Sequence, residues 1–160
     1  MTPLVCRVLG PRRRGGAEEG QIAILILGLF VITLVLIFGA IDVTAAQLGR
    51  MRLLDAADAT ALDAADALDE AAAYAGGITE TPVLTNGSVR AAAEQHLART
   101  PRPAGLETWE LGPDTGSPDG RTAVVTLTGR ATLPMTGWVL DSLGGGVTIT
   151  VQSRARAPLR

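Results

Sequence analysis

The most constraining feature of this sequence is an apolar stretch, Gln21–Ile41, that contains no charged residue and no proline. As an α-helix with a rise of about 1.5 Å per residue it would be about 31 Å long, close to the roughly 30 Å hydrocarbon core of a bilayer. A helix that is apolar on every side over this length is typical of a membrane span. The stretch therefore predicts one transmembrane helix at residues 21–41, with the rest of the chain outside the membrane.

The charges on either side of this stretch predict its direction. Residues 1–20 carry four Arg, three of them at Arg12–Arg14, against two Glu. The positive-inside rule keeps such an end in the cytoplasm and places the C-terminal part outside it. The alternative is a cleaved signal peptide, because Val43-Thr44-Ala45 offers the small residues that a signal peptidase accepts. Secretory apolar regions are shorter, about 7–15 residues, so we predict that the anchor is retained.

The composition argues against a nucleic-acid partner and against a fold that depends on an internal disulfide. The net charge is −2, every basic residue is Arg, and residues 42–76 carry seven acidic side chains against two Arg. No basic patch of the kind that binds nucleic acid is present, so we predict no nucleic-acid partner. The single cysteine, Cys6, cannot form an internal disulfide, so the fold is not predicted to depend on one.

A second helical pattern follows the apolar stretch directly. Ala and Leu, both strong helix formers, dominate residues 43–74, and Gly76-Gly77 ends the pattern. We predict one continuous helix, Gln21–Tyr74, with Gly49 as its weakest point. Its outer half would form a stalk whose apolar stripe packs on the protein's own sheet or, as the alternative, on a partner helix. The stripe consists of Leu54, Ala57, Ala61, Ala65, Leu68 and Ala72.

The stalk also carries an acidic pattern that could suggest a cation site. LDAAD occurs twice, at Leu54–Asp58 and Leu62–Asp66, and carboxylates are the ligands that hard cations prefer. Within one helix, however, these side chains point outward in different directions and do not converge. We therefore interpret them as a solvated acidic face. The lone His96 has no partner of a metal-binding or catalytic type, and we predict no metal, no cofactor and no catalytic site.

The C-terminal residues predict a short helix and three strands. Ser88 can cap a helix over Val89–Arg99, which Pro101 ends. Alternation of apolar and polar residues predicts strands at Leu106–Leu111, from Thr122 to Leu133, and from Val147 to Ala155.

Three finer expectations concern the packing of this region. Gly129 interrupts the second strand and indicates a bulge. A helix over Met135–Leu143 would turn Met135, Val139, Leu140 and Leu143 inward. Trp109 and Trp138 would cover the core of the sheet.

The N-terminal half of the sequence resembles the TadE/TadG-like proteins of tight-adherence (Flp-type) pilus assembly systems. The family pattern begins with basic residues and an acid-Gly-Gln or Arg-Gly start, here Glu19-Gly20-Gln21. A long apolar span, an acidic exit residue, a basic pair and a motif like LxxxADxAALxAA follow. Thr60 stands where the family usually has Ala. The matching positions are Arg12–Arg14, Gly20, Gln21, Asp42, Arg50, Arg52, Leu53, Ala57, Asp58, Ala61, Leu62 and Ala65.

The resemblance implies a function without catalysis. It indicates a membrane-anchored component of Flp/Tad-type pilus assembly or an associated secretion complex, which would meet other assembly proteins, in one interpretation through the stalk helix. Pilin-like members cut by a prepilin peptidase often have Glu five residues after the cleavage-site Gly. Here Leu25 stands at that distance from Gly20, and Gly20 or Gln21 at that distance from Gly15 or Gly16, so an assembly accessory is favoured over a major pilin. The competing hypothesis is a membrane-tethered sensor or ligand-binding domain unrelated to pili.

The predicted architecture is α+β. A long N-terminal helix, part transmembrane and part stalk, would pack on a small antiparallel sheet of about three strands. The predicted divisions are a basic cytoplasmic segment at residues 1–20, the span at 21–41, a helical stalk at 42–77 and a small α+β domain at 78–160.

Overall fold

A computed structural model of the protein describes the backbone of residues 16–74 and 84–156, and the side chains of residues 20–67 and 84–156. The elements are, in chain order, α1 (Gly16–Tyr74), α2 (Asn86–Arg99), β1 (Leu106–Leu111), β2 (Thr122–Ala131), α3 (Gly137–Ser142) and β3 (Val147–Arg156). Cys6, Arg12–Arg14, Gly76-Gly77 and the first part of the loop that precedes α2 lie outside the described residues. The chain falls into two units, residues 1–37 and residues 38–160.

Helix α1 is continuous over 59 residues, which confirms the prediction of a single long helix. No proline interrupts it, and Ala and Leu supply high helix propensity in its second half. From Gly20 onward it is long and apolar enough to cross a membrane, and none of the side chains of its most apolar stretch is buried against the protein. Gly49, the predicted weak point, lies inside the helix without breaking it.

The three strands form one antiparallel sheet with β2 in the centre. β2 and β3 pair without interruption from Thr122↔Arg156 to Ala131↔Val147. Together with α1, this sheet confirms the predicted α+β class and the predicted number of strands. Each of the three strands lies where hydrophobic alternation placed it.

The core of the second unit lies on one face of this sheet. Alternate residues of β3 are buried or half-buried while their neighbours are exposed, as a strand with one solvated face requires. The same buried cluster includes Val89 and Ala93 of α2 and the inward residues of α1. The sheet residues in it include Ala123, Val125, Leu127, Ala131, Ile149, Val151 and Ala155.

Helix α2 begins three residues earlier than predicted. Its N-cap is Thr85, whose side chain accepts a hydrogen bond from the Ser88 amide at 3.1 Å, while the Ser88 hydroxyl accepts one from the Thr85 amide at 3.0 Å. Ser88 therefore serves as the third residue of a reciprocal capping box rather than as the cap itself.

The prediction for the segment between β2 and β3 is partly wrong. Val139 and Leu140 are half-buried as expected, but Met135 and Leu143 are exposed. Trp109 packs against the core, whereas Trp138 is 75% exposed and covers nothing. Of the five large apolar residues in and beside α3, two are therefore half-buried and three are exposed.

Candidate functional site

The inner face of α1 packs directly on the domain. Ala57 and Ala61 are fully buried and Ala65 is 2% exposed, and all three belong to the core cluster that contains Val125 and Leu127 of the sheet. Small side chains allow a helix to pack closely against its neighbours. The same cluster also contains residues of α2, so these residues of the stripe are buried within the protein's own domain.

The stripe is shifted at its start by one residue from the sequence prediction. Leu53 is fully buried, whereas Leu54 is 36% exposed. A side chain at Gly129 of β2 would come within 3.3 Å of the Leu53 methyl group, so the glycine leaves room for this leucine. The predicted bulge at Gly129 is wrong, because the irregularity lies on the neighbouring strand, between Leu106 and Thr108.

The stalk contacts the loop before β1 through a glycine and an arginine. Gly49 is buried, and a Cβ on it would lie 3.2 Å from the Gly105 carbonyl oxygen. One turn further, the Arg52 guanidinium donates to the Ala104 carbonyl oxygen at 2.8 Å. Gly49 is therefore a point of close packing, and Arg52 of the family's basic pair is used within the domain.

Asp42 is bound by the segment that leads into α3. Its carboxylate accepts hydrogen bonds from the Met135 amide at 2.9 Å, the Thr136 amide at 2.8 Å and the Thr136 hydroxyl. The residue is 5% exposed. We call this arrangement the Asp42 clamp. It joins the first residue after the apolar stretch to a segment more than ninety positions later in the chain.

The clamp favours the ionised form of Asp42. Burial acts to raise the pKa of the carboxyl, but the hydrogen bonds from the Thr136 side chain and from the Met135 and Thr136 amides outweigh it and hold the pKa below its ordinary value of 3.8. A carboxylate that accepts several such bonds is strongly held in one position. The clamp is therefore fully formed at neutral pH.

Two further polar contacts of the stalk join α1 to other elements. The Ser153 hydroxyl of β3 donates to the Asp58 carboxylate. The Asp63 carboxylate lies 3.2 Å from Nδ1 of His96 in α2. The acidic face predicted to be purely solvated is therefore partly used for attachment. Within residues 20–67 and 84–156, no three His, Cys, Asp or Glu side chains group as a metal site would require.

The remaining motif positions lie outside the buried face. Gly20 and Gln21 are exposed, and Leu62 is 58% exposed. Leu48 and Met51 are also exposed on the stalk, at 47% and 63%. Leu48, Met51 and Leu62 are therefore among the large apolar side chains that the stalk leaves open to solvent.

Thr60, the departure from the family motif, is accommodated without cost to the packing. It is fully buried, and its hydroxyl donates to the Ala56 carbonyl oxygen at 2.6 Å. A buried hydroxyl needs such a partner, and the helix backbone provides one.

An open cleft of about 360 Å³ lies beside the loop between β1 and β2. Its lining includes Asp114, Gln152 and Arg154, and Asn86 holds the loop by accepting a hydrogen bond from the Ser117 amide at 2.8 Å. The Ser117 hydroxyl beside it is buried and has no protein partner among the described residues. The cleft is open to solvent.

Sequence reasoning missed the partners of Asp42, although it singled out Asp42 itself. Met135 was expected to face the core and Thr136 was not considered. The only local signal is a pair of free amides at the start of a short helical segment, which a carboxylate can satisfy. Nothing in the spacing of the chain indicates which carboxylate does so.

The fold and the site define a class of protein: one apolar helix continues as a stalk that is built into a small α+β domain. Residues 20–67 match the family model described as putative Flp pilus-assembly TadE/G-like. The resemblance inferred from the motif is confirmed over this segment, which covers the apolar helix and the described part of the stalk. Neither a curated protein sequence nor a solved structure matches the chain.

Proposed function

We propose that this chain is a non-enzymatic, membrane-anchored component of Flp/Tad-type pilus assembly, or of an associated secretion complex, that acts through an extracytoplasmic domain. The observation that carries the proposal is the family match over residues 20–67. The matched segment holds both the candidate span and the helix that the domain packs on. A role in anchoring and positioning other components fits this arrangement.

Anchoring is supported by the surroundings of the apolar half of α1. Its large side chains are exposed to a degree that water would penalise, for example 73% for Ile24 and 72% for Leu25. At about 25 cal/mol per Å² of apolar surface, transfer of such a row of side chains into lipid is strongly favourable. The proposed span is residues 21–41, and the proposed division places a basic segment before it, a stalk at 42–77 and the α+β domain at 78–160.

Retention of the anchor is supported by the Asp42 clamp. Cleavage at Val43-Thr44-Ala45 would separate Asp42 from the domain. The amides of Met135 and Thr136 would then lose the carboxylate that satisfies them. The folded domain therefore keeps the Asp42 carboxylate only if signal peptidase does not cut the chain.

The proposed orientation is N-terminus in the cytoplasm and C-terminal domain outside, from the arginines at positions 12–14 and the acidic residues that follow the span. A periplasmic-type reporter fused after Arg160 should be active, and the same reporter fused before Gln21 should be inactive. The opposite result would reverse the orientation.

Partners are proposed to be other pilus or secretion assembly proteins. The inner face of the stalk is occupied by its own domain, so a stalk contact with a partner has to use the exposed side that carries Met51 and Leu62. No nucleic-acid partner is proposed.

The function is tested by deleting the gene in its source organism and measuring pilin released from the cell surface by shearing. We expect loss of surface pilin, with recovery on complementation by the wild-type chain or Val35→Leu and weaker recovery by Val35→Arg, which should insert less efficiently. Purification from membranes should also recover pilus-assembly proteins with the chain. Normal pili in the deletion strain and no such proteins would refute the proposal and favour the tethered sensor, for which the cleft beside Ser117 is the first place to look for a ligand.

A further inference from the structure

The two most exposed large hydrophobic side chains among the described residues are not in the apolar span. They are Leu143 at 78% and Trp138 at 75%, at the end and in the first turn of α3. Met135, just before α3, is 38% exposed. We call the segment Met135–Leu143 the α3 loop. Two large apolar side chains within one nine-residue segment are therefore open to contact with a surface outside the domain.

The α3 loop lies at one particular end of the sheet. Three contacts of α1 with the sheet hairpin follow one another in order: Asp42 with Thr136, then Leu53 with Gly129, then Asp58 with Ser153. The hairpin of β2 and β3 therefore runs alongside α1, with the α3 loop at the end nearest residue 42 and the strand ends Thr122 and Arg156 away from it.

The chain position of residue 42 sets the depth of this end. Asp42 follows Ile41, the last residue of the apolar stretch, and one residue adds only about 1.5 Å along a helix. A span of about 31 Å fills the hydrocarbon core, so its last residue reaches the boundary between acyl chains and headgroups. The amides of Met135 and Thr136, hydrogen-bonded to Asp42, are then at the level of the headgroups.

The chemistry of the α3 loop suits that level. The indole N–H of Trp138 already donates to the Met135 carbonyl oxygen at 3.1 Å, so the exposed part of the side chain is its apolar ring. Asp141, the only charged residue of the loop, is paired with Arg130. Arg130 also contacts Glu107 at 3.1 Å and so belongs to a small ion-pair network. Tryptophan is enriched at membrane–water interfaces, where apolar and polar surroundings meet.

We propose that the α3 loop is a second membrane contact of this protein: the Trp138 ring and the Leu143 side chain enter the headgroup region of the same bilayer that α1 crosses. The occupant of this exposed apolar surface is lipid. The inference rests on the proposed anchoring by α1 but goes beyond it. A single helix leaves a domain free to tilt and turn, whereas a second membrane contact at the α3 loop would restrain both motions.

The test uses the intrinsic fluorescence of the full chain in phosphatidylcholine vesicles. The sequence has two tryptophans, so Trp109→Phe leaves Trp138 as the reporter and Trp138→Phe leaves Trp109 as the matched control. Emission from Trp138 should be blue-shifted and should fall when the lipids carry bromine near the glycerol end of their acyl chains. Emission from Trp109, which packs against the sheet core, should not respond to bromination.

A second pair of variants gives the same information if Trp109→Phe fails to fold. In a Cys6→Ser background, Leu143→Cys and Leu62→Cys are each labelled with an environment-sensitive nitrobenzoxadiazole probe. Both positions are exposed, at 78% and 58%, and position 62 lies well beyond the end of the span on α1. The probe at position 143 should report an apolar setting and be shielded from dithionite in the outer solution. The probe at position 62 should report water.

Flotation of the vesicles separates the possible failures. If the chain floats with the vesicles but Trp138 and the probe at position 143 both remain in water, the inference is wrong and the anchoring proposal stands. If the chain does not float, anchoring fails and the inference fails with it. If bromine has no effect while the Trp138 emission shifts to the blue as protein is added at constant lipid, a second copy covers the surface and the lipid assignment is overturned.

Discussion

The two halves of α1 have the same helical backbone but differ in what surrounds their side chains. Residues 21–41 of α1 are apolar on every side and leave their large side chains exposed, whereas residues 42–67 bury one narrow face against the domain. Both halves satisfy their backbone hydrogen bonds internally, so helix formation requires no particular solvent for the side chains. The distribution of apolar residues around the helix decides whether lipid or protein surrounds it.

The comparison also shows how differently each half uses small residues. In the stalk, Ala57, Ala61 and Ala65 are buried in the core cluster of the domain, and a glycine at position 49 allows contact with the Gly105 carbonyl. In the apolar half, a side chain added at Gly28 or Gly39 would meet nothing within 4 Å. Small residues are therefore a packing requirement in one half and not in the other.

We expect the largest loss of folding stability from a substitution in the buried face of the stalk. Ala61 is fully buried, so Ala61→Glu must overfill the contact, which costs about 1–3 kcal/mol, and must also bury an unpaired charge. The sum of more than about 4 kcal/mol would be a large share of the stability of a small domain. The full chain in detergent should lose its cooperative thermal unfolding transition. A normal melting temperature would mean that the inner face is not packed in solution.

The next largest effect is expected on membrane insertion, from a substitution in the apolar half of α1. A charge near the centre of the span costs about 2.5–3.5 kcal/mol for membrane insertion, so Val35→Arg should lower the inserted fraction measured by protease protection. Val35→Leu is the matched control and should insert normally. The same arginine should leave the domain's own packing unchanged, because Val35 is 64% exposed. Unchanged insertion of Val35→Arg would count against contact of the side chain with lipid.

A smaller, pH-dependent effect is expected at the boundary between the halves. Because the hydrogen bonds of the clamp lower the pKa of Asp42 in the folded state, its ionised form stabilises the fold above the ordinary value of 3.8, and this contribution is lost as the pH falls through the lower folded-state pKa. Asp42→Asn should therefore reduce the melting temperature at pH 7. The difference from the wild-type chain should shrink below about pH 4.

The quantity to follow in that experiment is the difference in melting temperature between the wild-type chain and Asp42→Asn. The pKa of Asp119 is also held low, by hydrogen bonds from the Arg121 amide and from the side chain and amide of Thr122, and both proteins keep this group. Each will therefore lose some stability in acid. A gap in melting temperature that stays constant from pH 7 down to pH 2 would show that the Asp42 charge does not contribute to the clamp.

The smallest effect is expected on the outer face of the stalk. Asp55 is exposed, and single changes at such sites usually alter stability by no more than about 0.5 kcal/mol. Asp55→Asn should leave the melting temperature nearly unchanged, in contrast to Ala61→Glu six residues further along the same helix. A large loss from Asp55→Asn would mean that the assignment of inner and outer faces is wrong.

The lengths and types of the elements could be predicted because they depend on local patterns. The uncharged apolar run indicates the candidate span, the Ala-rich stretch indicates its helical continuation, and the period-2 alternation of Val147–Ala155 indicates a half-buried strand. The inner face of the stalk was predicted at Ala57, Ala61 and Ala65 for the same reason. Its start was misplaced at Leu54, because adjacent helical residues differ by only 100° and both are leucine.

The sequence by itself determined that this chain has one apolar helix, a helical continuation and a three-stranded antiparallel sheet, because each follows from the periodicity of neighbouring residues. Only the tertiary structure decided that Asp42 binds the start of the α3 loop, that Gly129 makes room for Leu53, and that Trp138 faces outward. These features depend on which distant segments meet. Local periodicity specifies the face of an element but not the surface it meets, since many surfaces can satisfy the same apolar stripe or the same free amides.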